Sequence, residues 1–107
     1  MTKINRELLK GASEALVLKV LEQEVLHGYE IAKRIKELSD DVFSMGEGTL
    51  YPILHKLEQA GWLEATWDEV QGRRRKYYAI TKTGKQALQE KQAEWSTFSS
   101  AVTSMLR

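Results

Sequence analysis

The hydrophobic positions of this chain first recur at helical spacing. Between about residues 5 and 25, Leu8, Ala12, Ala15, Leu16 and Val20 mark one side, while Val17, Leu18 and Leu21 mark another. This predicts a helix that is apolar over more than one face and needs two partners. The pair His27 and Gly28 is read as its end, with the glycine in the left-handed position beyond the last turn. A second helix is expected from about Tyr29 to Leu38, burying Ile31, Ile35 and Leu38 and turning Lys33, Arg34 and Lys36 outward. After the polar joint SDDVFSMGEG, the stripe Leu50, Ile53, Leu54 and Leu57 predicts a third helix stopped by Gly61. Pro52 suits only a first turn, which places the start near Gly48 or Thr49 and leaves Thr49, Tyr51, Pro52, His55, Lys56 and Gln59 outward.

The period then changes. WLEATWD and RRRKYYAI, rich in aromatic and alternating residues and joined by EVQG, predict a two-stranded hairpin with Gly72 in or near its turn. TKTG opens a last helix, with Thr81 as N-cap, that runs toward Arg107 and would reach about 40 Å, longer than so small a domain can cover with its own core. In it Leu88, Trp95 and Val102 recur every seven residues and Phe98 and Met105 stand three further on, with Lys91 interrupting. Such a stripe suits either a helix folded back on its own domain or a dimer seam against the first helix of a second subunit. The seam is preferred, because the first helix also has apolar surface to cover. Its candidate contacts are Leu18, Leu88, Trp95, Phe98, Val102 and Met105.

Three helices followed by a hairpin is the winged helix-turn-helix order. The expected fold class is mainly α with a small β-hairpin: a DNA-binding domain over residues 1–80 and a dimerisation helix over 81–107. In that architecture the third helix enters the major groove and the hairpin wing lies along the backbone or minor groove. Thr49, Tyr51 and His55 can donate, accept or stack on the outward face, and Lys56 can meet a phosphate. The wing carries Arg73, Arg74, Arg75 and Lys76 with no acid among them.

Composition narrows the picture. The formal net charge is only +1 over 107 residues, so any attraction for a polyanion must come from the local run in the wing. With no cysteine and two histidines, thiolate zinc sites and disulfides are excluded and a metal site is not expected. Neither His27 nor His55 stands in a local motif with a nucleophile or an orienting acid, and no Gly-rich phosphate loop is present, so no enzyme and no cofactor is expected. No apolar run approaches a membrane span or a signal peptide, which points to a cytoplasmic protein.

The stretch GEGTLYPILHKLEQAGWLEATW followed by GRRRKYYAITKTGKQAL, with the earlier LHGYEIAKRI, resembles the PadR family of bacterial transcriptional regulators over about residues 5 to 100. The resemblance implies a winged-helix homodimer, usually a repressor, joined through its last and first helices. By position, Tyr29, Thr49, Tyr51, His55 and Lys56 match the family's DNA-facing residues and Arg73 to Lys76 its wing; the single last helix matches its short branch. In multidrug-binding short members a tryptophan of the last helix pairs with its dimer mate around flat apolar compounds. AEWSTF puts Trp95 at that place, with Leu8 and Ala15 lining the same cavity. Where those members carry an acid one turn on, this chain has Ser99. A large aromatic at helical spacing is more often packing than pocket, so Trp95 is read first as a seam residue and second as an effector contact. The expected partners are therefore duplex DNA with an inverted-repeat operator, a second copy of the chain, and a flat apolar effector. The alternative is a winged-helix protein-docking module that never touches DNA.

Overall fold

Asn5 starts the first helix, α1 (Arg6–Gln23), by accepting a hydrogen bond from the Glu7 N–H at 2.8 Å. The computed structural model describes residues 4–107, so positions 1–3 of the expected DNA-binding unit lie outside the described residues. Val17, Leu18, Val20 and Leu21 of α1 are buried, and the one buried polar side chain of this helix, Ser13, donates to the Leu9 carbonyl at 2.7 Å. A helix apolar on several sides is the hub of the fold, as its pattern predicts. Leu18, however, is fully buried among residues of its own chain. In the single chain it belongs to the core.

The pair His27 and Gly28 does not end α1. The helix stops at Gln23, and Leu26–His27 form a short strand, β1, before α2 (Gly28–Leu38) begins directly at the glycine. Glu30 accepts from the His27 backbone N–H at 3.3 Å, half of a capping box. Gly28 is glycine for a tertiary reason: a Cβ there would meet the Tyr51 ring, with the phenol oxygen at 3.0 Å. Ile31 and Ile35 are buried as expected, whereas Leu38 is 70 % exposed. The chain turns away beyond it through Asp40 and Asp41, both at positive φ, and Met45 of the supposedly polar joint is buried in the core.

The third helix, α3 (Glu47–Gln59), buries Leu50, Leu54 and Leu57, and Gly61 follows its end at a φ of +80°. It begins earlier than Pro52 suggested. Pro52 stands in the second turn, where its missing N–H leaves the Gly48 carbonyl without an intrahelical donor; both residues are exposed, so water can take its place.

The hairpin is β2 (Leu63–Val70) and β3 (Arg73–Ile80), paired from Leu63 opposite Ile80 to Val70 opposite Arg73. Its two-residue turn has Gln71 and Gly72 both at positive φ, the arrangement whose twist suits paired strands. The sequence pattern missed the third strand: β1 pairs antiparallel with β3, Leu26 opposite Tyr78 and His27 opposite Tyr77, giving the order β1-β3-β2. The wing is thereby stitched to the start of α2.

Thr81 caps the last helix, α4 (Lys82–Leu106), accepting from the Gly84 N–H at 3.0 Å and donating to the Gly61 carbonyl at 2.7 Å. Its first turns bury Gly84, Ala87 and Leu88. Leu88, expected in the seam, is fully buried in the chain's own core. Further along, Trp95, Phe98, Val102 and Met105 are exposed, and the helix draws the molecule out to 54 Å along its longest axis.

Candidate nucleic-acid interface

Helix α3 stands with its buried leucines inward, so Tyr51 and His55 emerge on the opposite side, both exposed, while Thr49 is half-buried. Tyr29, at the start of α2, is 73 % exposed next to them. The wing leans over the same side. Between α2, α3 and the wing lies an open cleft of about 1070 Å³, and Tyr29, Tyr51, His55 and Arg73 to Lys76 all line it. Thr49 and Lys56 are not among its lining residues. Lys33 and Arg34 of α2 and Trp67 of β2 join the lining. The first two were legible as the polar face of the second helix; Trp67 carried no signal beyond its alternation in a strand.

Charge is distributed unevenly among the basic groups. Lys76 is 3.0 Å from Glu58 of α3, and this hydrogen bond raises its pKa above the ordinary lysine value. Tyr78 beside it is pushed up by burial. Lys56 lies 2.7 Å from Glu14 of α1, which also meets Lys91 of α4 at 3.2 Å. Arg73, Arg74 and Arg75, by contrast, have no carboxylate within salt-bridge distance among the described residues. Arg75 instead places a guanidinium nitrogen 3.0 Å from His27 Nε2, and Arg74 lies over the Trp67 ring with its guanidinium carbon 4.6 Å from the centroid. Lys56 and Lys76 are thus held by carboxylates, as Arg34 is by Glu24, and the three wing arginines carry uncompensated charge. This concentrates positive potential on one rim of the cleft.

Glu14 ties three helices. Burial alone would raise its carboxyl, but hydrogen bonds from Lys56 and Lys91 outweigh this and hold it below the usual carboxylate range. A depressed folded pKa contributes stability that is present above the unfolded value and is lost as pH falls through the folded one. Glu14→Gln is therefore expected to lower the melting temperature at pH 7 and to lose that deficit in acid. Thermal scans of both proteins between about pH 7 and pH 3 check it; parallel curves would assign the acid sensitivity to other groups.

The residues assigned to an effector lie outside the lining of this cleft. Trp95 and Phe98 stack on α4 with centroids 5.6 Å apart and are 47 % and 53 % exposed. Leu8 is 55 % exposed, and Ala15 is half-buried on α1. The Ser99 hydroxyl donates within its own helix to the Ser96 carbonyl at 3.3 Å. No group of three or more histidines, cysteines and carboxylates is placed to hold a metal among the described residues, and none of their helices is long and apolar enough to cross a membrane.

Comparison with known proteins agrees with this architecture. Residues 17–90 match the model of the transcriptional regulator PadR-like family. The chain is 36 % identical over 85 residues to a transcriptional regulator of Mycobacterium tuberculosis, covering 79 % of this chain and 77 % of that one. Among solved structures, it resembles a transcriptional regulator from Clostridium thermocellum at 28 % identity and a TM-score of 0.89, covering 94 % of this chain and 99 % of that one. It also resembles a PadR family transcriptional regulator from Eggerthella lenta at 35 % identity and a TM-score of 0.82, covering 94 % and 87 %. The family is one of regulators and not of enzymes. An α-helical hub, a three-stranded wing sheet and a family match across most of the chain lead to one conclusion: the protein belongs to the PadR-like family of transcriptional regulators.

Proposed function

We propose that the protein acts as a homodimeric repressor that binds an inverted-repeat operator. The observation that carries the reading is the row of arginines, Arg73 to Arg75, without carboxylate partners among the described residues, on a wing fixed beside the exposed Tyr51 and His55 of α3. A helix inserted in the major groove would offer Thr49, Tyr51 and His55 to base edges and backbone, with Tyr29 and the wing beside the phosphates and Lys56 turned toward Glu14 of α1. In a pair of subunits the two α3 helices would face half-sites one turn of duplex apart, roughly 34–36 Å, or a multiple of it.

Pairing rests on the part of α4 that its own chain leaves bare. Trp95, Phe98, Val102 and Met105 form an apolar face that a second copy would cover together with α1. Phe98→Asp is expected to halve the mass in sedimentation equilibrium while leaving the helical circular dichroism in place, because the ring is 53 % exposed in one chain. A variant that remains a dimer would move the seam elsewhere. An effector of flat apolar chemistry would enter between the two copies at Trp95, near Leu8, Ala15 and Ser99. It would release the operator only by binding the two helix separations unequally.

The test is fluorescence anisotropy with duplexes tiled across the DNA upstream of the protein's own gene and an unrelated duplex, at about 50 and 200 mM salt. Preferential binding that weakens steeply with salt is the expected result. Binding to no duplex at low salt would leave the protein-docking alternative.

A further inference from the structure

Trp67 is a tryptophan in an unusual place, 56 % exposed in a strand of the wing and lining the cleft shared with Tyr51 and His55. It faces Lys76 across the ladder, and the alternation of β3 puts Arg74, Lys76 and Tyr78 on that same side. Two cations flank the indole: the Arg74 guanidinium carbon at 4.6 Å from the ring centroid and the Lys76 ammonium at 6.0 Å. They are not equivalent. Lys76 is held by Glu58 at 3.0 Å, whereas Arg74 has no carboxylate within salt-bridge distance among the described residues, although Glu69 is its partner across the ladder. The indole is thus the group that orders Arg74.

We propose that Trp67 is a positioning residue for DNA binding, holding the Arg74 guanidinium against its ring so that it reaches the duplex already oriented. The inference rests on the DNA-binding reading above. Its chemistry is that of a planar cation: stacking uses the face of the guanidinium and leaves its N–H donors free around the edge, available to phosphate or base acceptors. An unsupported arginine near a hairpin tip would give up the freedom of a long side chain on binding; a stacked one has already given up much of it. A cation–π contact at an exposed site corresponds to about two- to five-fold in affinity for each wing engaged.

The experiment is a double-mutant cycle read by anisotropy on the tightest of the tiled upstream duplexes, with Trp67→Leu, Arg74→Ala and the double variant. Because Trp67 acts through Arg74, Trp67→Leu is expected to weaken binding by about two- to five-fold per wing in the native background and to have no effect in the Arg74→Ala background. The salt slope should fall by about 0.9 per wing in Arg74→Ala and stay at its native value in Trp67→Leu, since the charge is still present. Trp67→Phe, which keeps an aromatic face, should restore most of the affinity. In the free protein, the Arg74 side-chain N–H resonance should be shifted upfield by the ring and return toward its ordinary position in Trp67→Leu. Native affinity in Trp67→Leu, an equal loss in both backgrounds, or an unshifted Arg74 resonance would each overturn the proposal. Salt-sensitive binding without coupling would remove the role of Trp67 alone, whereas absence of binding by the unaltered protein would remove the DNA-binding reading and this one together.

Discussion

Replacing Gly84 by alanine is expected to cost the fold about 3 kcal/mol, the upper part of the range for overpacking a closed core. Gly84 lies in the first turn of α4 where that helix crosses the connection from α3 to the sheet. A methyl group there would fall well inside van der Waals contact distance of the Trp62 carbonyl oxygen and 2.8 Å from Ile80 Cγ1. That carbonyl cannot swing aside freely, because it accepts the Thr81 N–H at 3.0 Å, and Thr81 in turn caps α4 and donates to Gly61 at 2.7 Å. One added carbon therefore strains the corner where α3, β3 and α4 meet. Thermal unfolding should show a fall in melting temperature of about 10–15 °C for a chain of this size. Gly11→Ala provides the contrast: it is also in a helix, but open space surrounds the added methyl, so a gain of about 0.5–1 kcal/mol is expected from helix propensity. Equal responses at the two sites would mean that α4 can shift to admit the methyl.

The second large effect is on DNA binding. Arg73→Ala combined with Arg75→Ala removes two of the three wing cations that have no carboxylate partner among the described residues, and the weakening should be nearly uniform across sequences, because phosphate contacts position without specifying. Every arginine–phosphate pair removed should lower the slope of log affinity against log salt by about 0.9, hence by about 3.6 for a dimer with both wings engaged. At about 0.1 M salt the weakening should be on the order of 100-fold or more. Lys85→Ala, an exposed cation on α4 away from the cleft, should leave the slope unchanged. Anisotropy titrations at several salt concentrations measure all three proteins. A native slope in the double variant would mean that the wing does not meet the duplex.

What the sequence disclosed and what it concealed divide along a physical line. The stripe of α3, the Thr81 cap and the Gln71–Gly72 turn are local: each depends on residues within a turn or two, and Leu50, Leu54 and Leu57 are buried as their spacing requires. Strand β1 has only two residues and so no period to detect; only its pairing with Tyr77 and Tyr78, far along the chain, makes it a strand. Gly28 reads as a helix stop in the sequence because its reason is the Tyr51 ring, a neighbour that no local pattern reveals. Leu88 and Trp95 belong to one seven-residue repeat, yet one is core and the other bare, since periodicity tells which side is apolar and not what covers it. At the candidate interface, Tyr51, His55 and the wing arginines were legible as outward groups; that Lys76 is spent on Glu58, Lys56 on Glu14, and Arg74 rests on Trp67 required the tertiary structure.

The divided character of α4 bears on how such regulators can diversify. Up to Leu88 the helix is bound to the winged domain by Gly84, Ala87 and Leu88, and at Lys91 it still reaches Glu14 of α1. Beyond that point most of its side chains face solvent in the single chain. Drift before this boundary is penalised by collapse of the domain itself, whereas on the pairing proposed above drift after it would alter only which chain is recruited and what is held between the two. On that proposal a lineage could exchange the distal helix, and with it the partner and the signal, while keeping the same winged domain.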